Sequence, residues 1–214
     1  ARLLFPLPEA VTFEQAALVE AAAIATHAVR RTPLSPQDTT VVVGAGMIGQ
    51  LVVQAVRAVS SGRIVAVDLE QDKLDLACRL GAEVGLRPDR DDVPAEVRQL
   101  TEGRGADVAF EAVGLPPTIE LACRVVRDGG TLTLIGNVSP AAAVPVQTIV
   151  TRELTVFGSC ASTGEYPDCL DMIARGAINV DVLTSAVAPL SEGAAWFDRL
   201  YRKEPGLVKV VLVP

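Results

Sequence analysis

"TTVVVGAGMIGQLVVQAV", Thr39 to Val56, decides how the rest of the chain is read. A run of β-type residues leads into three glycines, and the glycines lead straight into an apolar helical pattern. Gly44-Ala45-Gly46-Met47-Ile48-Gly49 has the G-x-G-x-x-G spacing. Alone that spacing is weak, but between a strand and a helix it predicts a turn that receives a pyrophosphate. Gly44 permits the tight turn, Gly46 lacks the Cβ that would hold a ligand off, and Gly49 lets the helix pack closely on the strands. The free N–H groups of Met47, Ile48 and Gly49 would face the anion. The alternative is a tight strand–helix turn that binds nothing.

Outward from this turn, strand and helix alternate. Strands are predicted at Thr39–Val43, Arg63–Val67, Glu83–Leu86, Asp107–Glu111, Thr131–Ile135 and Leu154–Phe157. Helices are predicted at Ile48–Val59, Asp72–Leu80, Pro94–Thr101 and Pro117–Val126, with Asp128-Gly129-Gly130 as a turn. This is the pattern of an α/β, doubly wound Rossmann fold: six parallel strands covered on both faces. Residues 12–31 read as one helix opening on a Thr12-x-x-Gln15 capping box. Tyr166–Arg175 and Ser191–Arg202 are further helical stretches, and "GLVKVVLVP" is a closing strand with no obvious partner in the chain.

Asp68 stands 19 residues past Gly49, at the end of the second strand. A carboxylate there accepts from adenosine ribose hydroxyls and repels a 2′-phosphate. Leu69, Glu70 and Gln71 follow, with no arginine to receive that phosphate, so the expected cofactor is NAD rather than NADP. The alternative is that Asp68 caps the next helix, since Asp68-x-x-Gln71 also resembles a capping box. Val113-Gly114 and Ile135-Gly136 lie just past two other strands, where an open α/β sheet binds its ligand. Plain turn glycines are the competing explanation for both.

The 214 residues are half apolar, enough to bury a core without staples. The net charge of −7, with no basic block, argues against nucleic acid or an anionic membrane surface as partner. Apolar runs are too short and too broken by charge to span a bilayer. Cys78, Cys123, Cys160 and Cys169 lack zinc-clip spacing and are expected to be buried thiols; with no leader segment in view, this points to the cytoplasm. The opening "RLLFPLPEAV" is loop-like and suggests a piece of a longer protein.

Taken together, "AALVEAAAIATHAVRR", "VVVGAGMIGQLVVQAVRA", "VAVDLEQDKLDLACRLGA", "GRGADVAFEAVG", "GGTLTLIG" and "KVVLVP" resemble the zinc-dependent medium-chain alcohol dehydrogenases, nearest their polyol (sorbitol, butanediol, threonine) branch. The resemblance covers nearly the whole chain. It implies a connector at 1–18 from a GroES-like catalytic domain, a Rossmann domain at 19–160, and a segment at 161–214 returning to that catalytic domain. It implies NAD, catalytic zinc held mainly by residues outside this chain, and hydride transfer from a secondary alcohol; the chain alone would bind cofactor without turnover. It also implies a homodimer or homotetramer joined through Leu154–Ser159. Two departures bear on substrate: the polyol branch often reads Glu-Pro at Glu20-Ala21, and sorbitol dehydrogenases an Arg-Tyr pair at Ala161-Ser162. A zinc-free NADPH quinone or enoyl reductase, or a non-enzymatic NAD-binding module, stay open as rivals.

Glu20 is the only charge between Glu14 and Arg30. The resemblance aligns it with a glutamate that approaches the zinc; an exposed helix glutamate is the other explanation. His27, the only histidine, is seven residues on, about 10 Å along a helix, too far to share an ion with Glu20. It is expected to be structural or to flank the cofactor.

Overall fold

The computed structural model describes residues 4–202 and 204–214. The first two residues of the expected loop-like start, Arg2 and Leu3, lie outside these. In chain order the elements are α1 (Phe13–Ala16), α2 (Val19–Arg31), β1 (Thr40–Val43), α3 (Met47–Arg57), β2 (Ile64–Val67), α4 (Gln71–Arg79), β3 (Val84–Leu86), α5 (Val93–Leu100), β4 (Ala106–Glu111), α6 (Pro116–Val125), β5 (Val126–Leu134), α7 (Val146–Thr151), β6 (Thr155–Gly158), α8 (Tyr166–Ala174), β7 (Thr184–Pro189), α9 (Gly193–Tyr201) and β8 (Lys209–Val213).

All six predicted strands form one parallel sheet in the order β3-β2-β1-β4-β5-β6. This is the doubly wound α/β fold. Side chains alternate across the pleat, so β1 and β2 feed two cores at once. Val42, Ile64 and Ala66 pack with α2, α3 and α8 on one face. Val41, Val43, Val65 and Val67 pack with α5 and α6 on the other. Double coverage explains why these strands read as unbroken apolar runs. Among the described residues no helix is long and apolar enough to cross a membrane.

Four local expectations are corrected. The helix at 12–31 is two helices: Thr12 does form its capping box with Gln15, but α1 ends after one turn and α2 restarts from Leu18. Leu18 is fully buried, so core packing fixes the break. Asp128-Gly129-Gly130 is no separate turn; it lies inside β5, which follows α6 directly, and Gly129 (φ +68°) sits at a register shift against β4. The closing strand has a partner after all: β8 pairs in parallel with β7. Sequence reasoning passed over β7 because "TSAVAP" is small, mixed and ends in proline. Finally, Cys123 and Cys169 are buried, whereas Cys78 and Cys160 are exposed.

Candidate functional site

The chain's strand order reverses between β1 and β4, the position at which open α/β sheets bind their ligands. The three glycines of the first turn serve three physical needs. Gly44 has φ +94°, and a Cβ there would come within 2.5 Å of Val113. A Cβ on Gly49 would sit 1.8 Å from the Gly44 carbonyl oxygen, so only hydrogen lets α3 start so close to β1. Gly46 differs: its backbone suits any residue (φ −70°, ψ −171°), and a Cβ would meet nothing within 4 Å. The protein itself does not require glycine at this position. The bare backbone instead borders open space at the start of α3, whose first N–H groups have no side-chain cap. An uncapped helix start beside bare backbone has the donors and the room that an anion needs, and a pyrophosphate fits that description.

Asp68 lies at the end of β2. Its Oδ2 accepts from the Ala45 N–H (2.8 Å) and its Oδ1 from the Glu70 N–H (3.0 Å). The helix-cap alternative is set aside, because the N-cap of α4 is Glu70. Asp68 is therefore tied to the glycine turn, and among the described residues it has no salt-bridge partner. Lys73 is held by Glu70 at 2.7 Å, and Leu69 is exposed.

The loops after β4 and β5 interlock. Gly114 has φ +84°, and a Cβ on it would lie 2.3 Å from the Gly136 carbonyl carbon; a Cβ on Gly136 would lie 2.2 Å from the Gly114 nitrogen. These glycines are required by close approach of two loops, beyond what a plain turn needs. The buried carboxylate of Glu111, which sequence reasoning passed over, fixes the β4 loop. Its Oε1 accepts from the Val113 and Gly114 N–H groups, both at 2.9 Å. The signal was a charged residue closing an apolar strand, "VAFE". Val113, Ile135 and Gly136 then line a cleft of about 660 Å³, with Ile24, Ile48, Asn137 and Cys160, while Gly114 lies outside that lining.

Glu20 is exposed in the first turn of α2, one turn before Ile24 of the cleft. Among the described residues no three histidines, cysteines or carboxylates gather to hold a metal ion, so these residues do not by themselves fit a zinc centre. His27 is structural: its Nδ1 lies 2.8 Å from Glu165 Oε1, joining α2 to the segment before α8. Burial pushes the Glu165 carboxyl up, but the hydrogen bonds from His27 and from the Thr163 N–H outweigh it and hold it below its ordinary value.

The comparisons agree with this geometry. The chain is 35% identical over 187 residues to a sorbitol dehydrogenase of Arabidopsis thaliana, covering 86% of this chain and 51% of that protein. It is 29% identical over 212 residues to a sorbitol dehydrogenase of Bacillus subtilis, covering 99% and 60%. The crystal structure of 2R,3R-butanediol dehydrogenase from Bacillus subtilis superposes with a TM-score of 0.91 at 34% identity, covering 99% of this chain and 61% of that one. The chain thus spans roughly half to three-fifths of the length of these relatives. Residues 48–175, from the glycine turn through β6 to the end of α8, match the zinc-binding dehydrogenases, and the chain belongs to that family.

Proposed function

We infer that this chain is the NAD-binding part of a secondary-alcohol dehydrogenase acting on a polyol or a related diol or amino alcohol. The observation that carries the cofactor choice is Asp68: a carboxylate fixed beside the glycine turn, free of any salt bridge among the described residues, and followed by Leu69 and Glu70. A ribose diol can donate to it, whereas a 2′-phosphate would meet like charge. Met47, Ile48 and Gly49 would take the pyrophosphate, and the cleft lined by Val113, Ile135 and Gly136 would take the nicotinamide half. NAD, when bound, supplies the hydride acceptor; the chain's own work is to bind it, orient it and shield it from water. Similarity to sorbitol and butanediol dehydrogenases supports the substrate class.

Glu20, one helical turn from the cleft, would offer one carboxylate to a metal site completed elsewhere. Among the described residues β6 has a partner strand on one side only, with Thr155 and Val156 exposed, and its free edge would pair with a second copy. Light scattering on the purified protein at micromolar concentration tests that; a monomer refutes it. Calorimetric titration of the chain with NAD and with NADP tests the cofactor choice. NAD should bind at least tenfold more tightly, since a repelled phosphate and lost charge-assisted bonds act together. Equal affinity would refute the role given to Asp68 and favour the NADPH reductase.

A further inference from the structure

The residue at the centre of the glycine turn is gripped through both of its flanking peptide groups. Asp68 Oδ2 takes the Ala45 N–H at 2.8 Å, and the Gln50 side chain gives its amide Nε2 to the Ala45 carbonyl at 2.9 Å. The same Nε2 also donates to the Lys73 carbonyl at 2.7 Å, so the amide bridges the turn to α4. Gln50 is 1% exposed, and its Oε1 has no partner among the described residues. An orphaned buried acceptor is unfavourable, and methionine would fill similar space without one. What methionine cannot do is donate to Ala45. Packing does not substitute for that bond, because a hollow of about 150 Å³ lies between the turn, α4 and the Leu207–Val208 segment.

We propose that Gln50 is a positioning residue that, with Asp68, clamps Ala45 through its two successive peptide groups and so holds the turn in the shape that receives the pyrophosphate. The inference rests on the cofactor site described above and adds to it a residue that touches no ligand. The ribose-binding carboxylate and the pyrophosphate-binding turn become one mechanical unit. Loss of the amide should therefore weaken NAD and NADP alike and leave their ratio unchanged.

The test is calorimetric titration of the chain and its Gln50→Met variant with both cofactors, beside thermal melting. Gln50→Met should bind NAD about tenfold more weakly, the loss expected of one hydrogen bond. The NAD-to-NADP ratio should stay within a factor of two. Val53→Ala, a buried truncation on the same helix, should lower the melting temperature with no change in NAD affinity, which separates positioning from general stability. Combining Gln50→Met with Asp68→Asn should cost less than the product of the two single losses, since both act on the backbone of one residue, Ala45. Should Gln50→Met not fold, Gln50→Asn, whose amide is one methylene short, carries the same expectation. An unchanged NAD affinity in a folded variant, or strict multiplicativity in the double variant, overturns the clamp alone. Failure of the unmutated chain to bind either cofactor overturns the site reading and the clamp with it.

Discussion

The two ends of the parallel sheet use their carboxylates differently. At the N-terminal end, Asp107 is fully engaged: Oδ2 accepts from the Thr39 N–H at 2.9 Å, and Oδ1 pairs with Arg127 at 2.7 Å. At the C-terminal end, Asp68 holds backbone N–H groups and meets no cation among the described residues. Beside it, Gly46 borders open space, whereas at the other end Gly62 is wedged against the Asp38 carbonyl, 2.2 Å from where a Cβ would be. Groups satisfied within the protein serve stability. Groups left with unused capacity at a strand terminus are available to a ligand, and this contrast locates the site more sharply than any single motif.

Changing Gly49 to alanine should break the contrast most severely, because a Cβ 1.8 Å from a backbone oxygen cannot be relieved by a rotamer change. A loss of about 3 kcal/mol or more in urea unfolding is expected. Next, Asp68→Ala should weaken NAD and remove discrimination worth about 2–4 kcal/mol against NADP, read by titration with both cofactors. Asp107→Asn should cost about 1.5–3 kcal/mol of stability at pH 7 and leave cofactor affinity unchanged.

The pH dependence of Asp107 follows from its environment. Burial raises its carboxyl, while Arg127 and the Thr39 N–H more than offset this and hold it below the usual value. Its contribution is therefore complete above about pH 4 and is lost as pH falls through the lowered folded value. The gap between Asp107→Asn and the unmutated chain should accordingly narrow on acidification, followed by circular dichroism.

Smaller effects sharpen the same boundary. Gly46→Ala should change stability by no more than about 0.5 kcal/mol yet weaken NAD about tenfold, the reverse of Gly49→Ala. A thermal melt paired with a titration distinguishes them. Glu20→Ala should leave both stability and NAD affinity essentially unaltered in this chain, because the residue is exposed and one turn short of the cleft. A clear loss of NAD affinity would place Glu20 in the cofactor site instead of near a metal.

Patterns local in the chain were legible without coordinates. Apolar runs of strand length around a G-x-G-x-x-G turn determined six strands and their parallel pairing, because periodicity and turn chemistry act over a few residues. The tight turn at Gly44, the close helix–strand packing at Gly49 and the place of Asp68 at the end of β2 were likewise readable. Tertiary structure alone decided the rest. Leu18 breaks the first helix because it is buried among distant residues; β7 becomes a strand because β8 lies beside it. Asp68 is a brace for Ala45 and no helix cap because the turn after β1 comes within hydrogen-bonding reach of its carboxylate. Gln50 and Glu111 gain their roles from carbonyls and N–H groups that only the folded loops bring to them. Such contacts depend on where backbones meet in space, and no spacing along the chain encodes that by itself.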